Sequence, residues 1–132
     1  MIFVDTSFWM AFRNARDDRH ARAVELMGEI GDDDLVTTNA IRGETWTLIR
    51  SRVGHDAAVH FLDHLERSPR IALVWVSEAL EGEALAWLRR HDERPYSFVD
   101  ATSFAVMRSL GIQEALTFDS DFAAAGLTML EP

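Results

Sequence analysis

The chain contains no cysteine, no lysine, one tyrosine and three prolines. Without cysteine it has no disulfide framework, thiolate nucleophile or zinc-cysteine site, and this usage fits a reducing cytoplasm. Without lysine, no chemistry that depends on a lysine amine is open to it. All 13 basic residues are arginines, whose planar forks pair bidentately with phosphate or carboxylate. No apolar run approaches the roughly 20 residues that span a bilayer, and Met1 to Asp5 has neither the basic flank nor the long apolar core of a signal peptide. A soluble cytoplasmic protein with no membrane association is therefore expected. Positive charge is also scarce: the formal net charge of -9 argues against a broad basic surface for holding nucleic acid. At 132 residues and 48% hydrophobic content, the chain fits one domain, 1–132, around a single core.

Strand-like apolar runs alternate with helical stripes. Ile2, Phe3 and Val4 read as a buried strand that stops at Asp5, and Thr6 to Phe12 as a helix. Asp17 or Asp18 is placed to cap a second helix that carries Ala21, Val24 and Met27 on one face. Asp32, Asp33 and Asp34 read as a solvated turn before a second strand, Leu35 to Thr37. A third helix from Thr38 or Asn39 to about Arg52 puts Ile41, Thr45 and Leu48 on one stripe, and Glu44 falls within it. Asp56 is placed to cap a fourth helix. Its His60 and His64 lie one turn apart, but with no third ligand in view they read as a solvated face.

Ile71 to Val76 is an unbroken apolar run, expected as a buried parallel strand. Ser77 caps a fifth helix, and a polar loop from His91 to Pro95 precedes a sixth, which ends at Leu110 before Gly111. Ser97 and Asp100 have capping-box spacing at its start, and Ser103 lies one turn beyond Asp100. Ala115 to Phe118 reads as a strand that again ends in an acid, Asp119, with Asp121 two residues on.

This alternation implies an α/β fold with a mainly parallel central sheet of about four to five strands, flanked by helices and joined by right-handed crossovers. The C-terminal strand ends then share one edge, where ligands bind in such sheets. Asp5 and Asp119 sit at two such ends, and Asp100 and Glu44, near the starts of helices, can face the same edge. Each acid has a local explanation as a cap or surface charge, yet their convergence is better explained by a shared site. Clustered carboxylates repel unless a cation is present. All-oxygen ligation with no cysteine and no histidine points to one or two Mg²⁺ or Mn²⁺ ions, which activate water and stabilise displacement at phosphorus.

Taken together, Val4-Asp5-Thr6-Ser7, Asp18-Arg19-His20 through Ala23, Glu44, Ser97-Phe98-Val99-Asp100-Ala101-Thr102-Ser103-Phe104 and Thr117-Phe118-Asp119-Ser120-Asp121-Phe122 resemble, nearly end to end, the PIN-domain ribonucleases, specifically the VapC-like toxins of type II toxin-antitoxin pairs. The resemblance implies a PIN-like fold and a Mg²⁺- or Mn²⁺-dependent endoribonuclease acting on transfer RNA or another structured RNA. Asp5, Glu44, Asp100 and Asp119 would be the catalytic and metal-binding acids, with Thr6 and Ser103 as supporting hydroxyls toward substrate. It also implies a homodimer and a cognate antitoxin. The family often has histidine where this chain has Asp121, which leaves the division of work between Asp119 and Asp121 open. The competing readings are a small metal-dependent phosphatase, a phospho-receiver, which the missing lysine disfavours, and a PIN-like module that binds metal or protein without catalysis.

Overall fold

The computed structural model describes residues 1–130. In chain order the elements are β1 (Ile2–Val4), α1 (Thr6–Arg13), α2 (His20–Glu29), β2 (Leu35–Thr38), α3 (Asn39–Arg52), α4 (His55–Arg67), β3 (Ile71–Val74), α5 (Glu78–Arg90), α6 (Phe98–Leu110), β4 (Glu114–Leu116), α7 (Asp121–Ala124) and β5 (Thr128–Met129). The strands form one sheet in the order β3-β2-β1-β4-β5, and every neighbouring pair runs parallel. From β1 the chain builds outward through β2 to β3, then returns to the other side of β1 for β4 and β5. The order therefore reverses between β1 and β4, and the crevice beyond the strand ends opens at that reversal. No helix among the described residues is long and apolar enough to cross a membrane.

β1 is buried on both faces, as an all-apolar central strand requires. Val4 lies opposite Leu116, and the Asp5 amide continues the ladder by donating to the Leu116 carbonyl at 3.1 Å. Trp9 of α1 is fully buried. Its indole Nε1 donates to Thr37 Oγ1 (3.4 Å), which in turn donates to the Val4 carbonyl (3.2 Å), so one hydroxyl ties α1, β2 and β1 together. α6 is buried continuously from Asp100 to Met107. Its Phe104 meets Trp87 of α5 and Phe122 of α7 edge-on, at 5.2 and 5.0 Å, and Phe122 also packs against Phe3.

Several local expectations change. The run Ile71 to Val76 is a parallel strand as expected but not a buried one: β3 stops at Val74, lies at the sheet edge and is only half-buried, with Trp75 64% exposed. An unbroken apolar run does not separate a central strand from an edge strand that is covered on one side. α2 starts at His20 with Arg19 as N-cap; Asp17 instead closes the preceding turn by accepting from the Arg19 amide at 2.8 Å. α4 starts after Gly54, whose φ of 145° suits glycine alone, and Asp56 lies inside its first turn. β4 begins at Glu114 and ends at Leu116, so Thr117 and Phe118 belong to the loop. His60 is exposed as expected, but His64 turns inward against the Trp9 ring.

Phe122 is the single ring joining α7 to both β1 and α6. Phe122→Ala should lower the unfolding free energy by about 3–5 kcal/mol through the cavity it leaves. Urea denaturation of the two proteins measures this, and a loss below about 1 kcal/mol would show that α7 is not anchored through this ring.

Candidate active site

Asp5 is 4% exposed and serves as N-cap of α1. Its Oδ2 accepts from Ser7 Oγ (2.9 Å), from Thr117 Oγ1 (2.9 Å) and, weakly, from the Ser7 amide (3.4 Å). Ser7 Oγ also accepts from the Phe118 amide (2.9 Å), and Thr117 Oγ1 from the Asp119 amide (3.0 Å). Two hydroxyls thus lock the loop after β4 to the carboxylate after β1. The three bonds made directly to the carboxylate all fall on Oδ2.

Asp100 lies on the third residue of α6 and forms the capping box with Ser97. Its Oδ2 accepts from the Ser97 amide at 3.1 Å, while the Ser97 hydroxyl accepts from the Asp100 amide at 2.9 Å. Capping and site membership coexist, as they do at Asp5. Asp119 Oδ1 accepts from the Asp121 amide at 2.9 Å, which turns the chain into α7. Arg94, from the loop before α6, places Nε 2.7 Å from Asp121 Oδ1 and donates to Ser120 Oγ at 3.0 Å. Glu44 is half-buried at the margin of the inward stripe Ile41, Thr45 and Ile49, and its side chain makes no hydrogen bond or ion pair among the described residues.

These side chains line one cleft of about 440 Å³ at the sheet reversal, shared by Asp5, Thr6, Ser7, Glu44, Asp100, Asp119 and Asp121, with Arg19 and Arg52 also in its wall. Asp100, Asp119 and Asp121 each bring a carboxylate oxygen within 4.8 Å of the others, close enough to share one cation. Burial pushes the Asp5 carboxyl up to about 6, against the opposing pull of its hydrogen bonds. Asp100 is pushed up to about 7, mainly by burial, with the charges of Asp119 and Asp5 adding to the rise. Thr6 Oγ1 is buried without a hydrogen-bond partner among the described residues. An all-oxygen donor set in which burial holds the Asp5 and Asp100 carboxyls above their ordinary pKa, with a spare hydroxyl beside it, fits a hard divalent cation.

The sequence pattern of the PIN domain matches residues 2–127. The chain belongs to the PIN-domain family. Over 132 residues it is 52% identical to the 23S rRNA-specific endonuclease VapC20 of Mycobacterium tuberculosis, covering 100% of this chain and 99% of that one. The crystal structure of M. tuberculosis VapC20, described as a sarcin-ricin loop cleaving toxin, superposes with a TM-score of 0.94 at 51% identity over the whole of both chains. FitAcB from Neisseria gonorrhoeae superposes with a TM-score of 0.72 at 17% identity, over 100% of this chain and 98% of that one, a likeness of fold alone.

Of the residues singled out from the PIN-type motifs, Asp5, Thr6, Glu44, Asp100 and Asp119 meet in the cleft, and Asp121 joins them. Ser103 does not line it: it is fully buried and donates to the Val99 carbonyl at 2.9 Å. Sequence reasoning named Ser7 only within the first motif, without its bond to Asp5, and missed Thr117 as an organising hydroxyl, Arg52 in the wall, and Arg94 as the partner of Asp121. Small hydroxyl residues beside an acid carry no distinguishing signal, and Arg94 lies 27 residues from its partner.

Because the folded pKa values of Asp5 and Asp100 lie above the ordinary 3.8, the folded protein retains protons that the unfolded chain has released. In metal-free buffer this contribution is complete below the unfolded value and is lost as pH rises through about 6 to 7. Unfolding free energy measured in chelator should therefore fall between about pH 4 and about pH 7.5, and Asp5→Asn should remove up to about 3 kcal/mol of that fall. A wild-type and variant difference that does not vary with pH would contradict the raised value at Asp5.

Proposed function

We propose that this chain is a divalent-metal-dependent endoribonuclease that hydrolyses RNA phosphodiesters in the acid-lined cleft, and that it is the toxin of a toxin-antitoxin pair. The observation that carries this reading is the meeting of Asp5, Glu44, Asp100 and Asp119 at the β1/β4 reversal, with Asp5 and Asp100 held above their ordinary pKa. Asp100, Asp119 and Asp121 form the tightest donor set for a cation, and Asp5 offers a further carboxylate in the same cleft. When bound, Mg²⁺ or Mn²⁺ would supply Lewis acidity at the phosphate and make water a stronger nucleophile at neutral pH. Two ions are the upper count this many carboxylates would hold.

The chain's own groups do the rest. Ser7 and Thr117 fix the Asp5 carboxylate, so no reorganisation is needed as substrate arrives. Glu44, unpaired across the cleft, orients the attacking water or accepts its proton. Arg19, whose guanidinium lies 4.8 Å from the Phe118 ring centre, and Arg52 can pair with non-bridging phosphate oxygens. Thr6 directs its free hydroxyl to metal or substrate. Ser103, committed to Val99, supports the turn carrying Asp100 instead of reaching RNA. Full-length likeness to a 23S rRNA-specific endonuclease favours a folded ribosomal RNA loop over transfer RNA as the target. A neutralising antitoxin and a second copy of the chain are the protein partners this reading brings with it.

Incubation of a ribosomal RNA hairpin and of transfer RNA with the purified protein tests the reading. Wild type should make a discrete cut in the hairpin with Mg²⁺ or Mn²⁺ and none in chelator, and Asp5→Asn and Asp100→Asn should each be slower by about a hundredfold or more. Variants as fast as wild type, or cleavage indifferent to chelator, would rule it out; metal binding without cleavage would instead identify a non-catalytic module. Ser7→Ala should cost about ten- to a hundredfold and raise the Mn²⁺ concentration needed for half-maximal rate, because it acts through Asp5. An unchanged metal dependence would confine Ser7 to local structure.

A further inference from the structure

A second cleft, of about 410 Å³, is lined by Arg13, Asn14, Ala15, Arg16, Arg52 and Val53. Arg52 lines the acidic cleft as well, so the two depressions share a wall. The chemistry of the second cleft is opposite to that of its neighbour and of the protein at large. The chain carries 22 acidic side chains against 13 basic ones, yet among the described residues no acid lines this cleft. The side chains of Arg13, Arg16 and Arg52 make no ion pair or hydrogen bond among the described residues. Partial burial lowers the Arg13 pKa, with no nearby carboxylate to raise it.

Arg13 and Arg52 lie in the last turns of α1 and α3, where the negative ends of the helices make a cation stable. That accounts for their tolerance but leaves their guanidinium donors unused. Three guanidinium groups with free donors around one depression present a site for a polyanion, and planar forks match phosphate oxygens bidentately.

We propose that the Arg13–Arg16–Arg52 cleft is a second RNA-binding site, which receives backbone phosphates away from the scissile one and sets the register at which a folded RNA enters the acidic cleft. The proposal rests on the nuclease reading only for the identity of the polyanion. Arg52, common to both walls, makes the path between the sites continuous. A substrate too short to reach past Arg52 gains nothing from Arg13 and Arg16, whereas a hairpin does.

Fluorescence anisotropy with full-length protein carrying Asp5→Asn, so that RNA is bound but not consumed, tests this with a labelled hairpin and a labelled trinucleotide. Adding Arg13→Gln and Arg16→Gln should raise the hairpin Kd about tenfold and reduce the slope of log K against log salt by about 0.7–0.9 per lost contact. The trinucleotide Kd should stay within about twofold. Arg16→Gln alone, at an exposed position, should give part of the effect with an unchanged unfolding midpoint, and Arg13→Lys with Arg16→Lys should restore most of the salt slope. An unchanged hairpin Kd, or equal losses for both probes, overturns the proposal. So does a polyglutamate peptide that needs these arginines when the hairpin does not, since the cleft would then serve an acidic protein segment. Arginine-dependent hairpin binding by a wild-type protein that cuts no RNA would defeat the nuclease reading and leave this one standing.

Discussion

The rest of the structure depends on one buried carboxylate held by borrowed hydroxyls. Asp5 lies at the seam between β1 and β4, and Ser7 and Thr117 both donate to the same oxygen. Those bonds close the loop after β4 onto the loop after β1, and so place Asp119 and Asp121 relative to Asp100. The bonds do not make the site comfortable. Two unit charges about 4 Å apart repel by about 4 kcal/mol at an effective dielectric of 20, a sizeable share of the 5–15 kcal/mol that separates a folded domain from its unfolded chain. Without a cation, protonation of Asp5 and Asp100 relieves part of this strain, and Arg94 neutralises part of the rest through Asp121. A bound divalent ion would relieve it more completely, which ties the stability of the apo protein to the chemistry of its cleft.

The fold lowers this cost through where it puts the acids. Asp5 caps α1, Asp100 sits at the third position of α6 and Asp121 opens α7, whereas Glu44, in the second turn of α3, lies beyond this help. Near a helix N-terminus a carboxylate meets unsatisfied amides and a partial positive charge, together typically worth 0.3–1 kcal/mol each. An all-parallel sheet delivers several helix N-termini to the edge where its strands end. The same topology that makes the crevice therefore supplies the local dipoles that let acids crowd there. Behind them, the buried length of α6 and the rings of Phe104 and Phe122 prevent the cluster from relaxing apart.

Much of this was legible in the chain, for identifiable reasons. The strand-to-acid junctions at Asp5 and Asp119, the capping-box spacing at Ser97 and Asp100, and the placement of Glu44 in a helical stripe are local patterns. Parallel alternation turns these patterns into one edge. What was not legible depended on distance or direction. Ser103 shares a helical face with Asp100, but its hydroxyl bonds back to Val99, a choice that spacing alone does not reveal. Thr117 read as a strand residue, although the ladder ends one residue earlier and frees its hydroxyl for Asp5. Ile71 to Val76 read as a buried strand because apolar content does not report how many neighbours a strand has. Arg94 could be paired with Asp121 only once the loop before α6 was seen to fold over α7.

Net charge is the remaining tension, since a protein of -9 should repel a polyanion. Total charge is the wrong variable at contact distance, because salt screens exposed charges beyond about 8–10 Å. What an approaching phosphate meets is local. Asp32, Asp33 and Asp34 are exposed in the turn that leads into the N-terminal end of β2, the opposite end of the sheet from the cleft. Within the cleft, burial raises the pKa of Asp5 and Asp100, Arg94 pairs with Asp121, and a bound cation would neutralise more of the acids. Arg13, Arg16, Arg19 and Arg52 lie along the two clefts, and among the described residues only Arg19 of these four forms an ion pair, with Asp17 at 3.9 Å. On the proposed reading the acidic remainder would act on specificity: it would penalise RNA that settles anywhere but along the arginine-lined path, giving up weak general attraction for placement at one site.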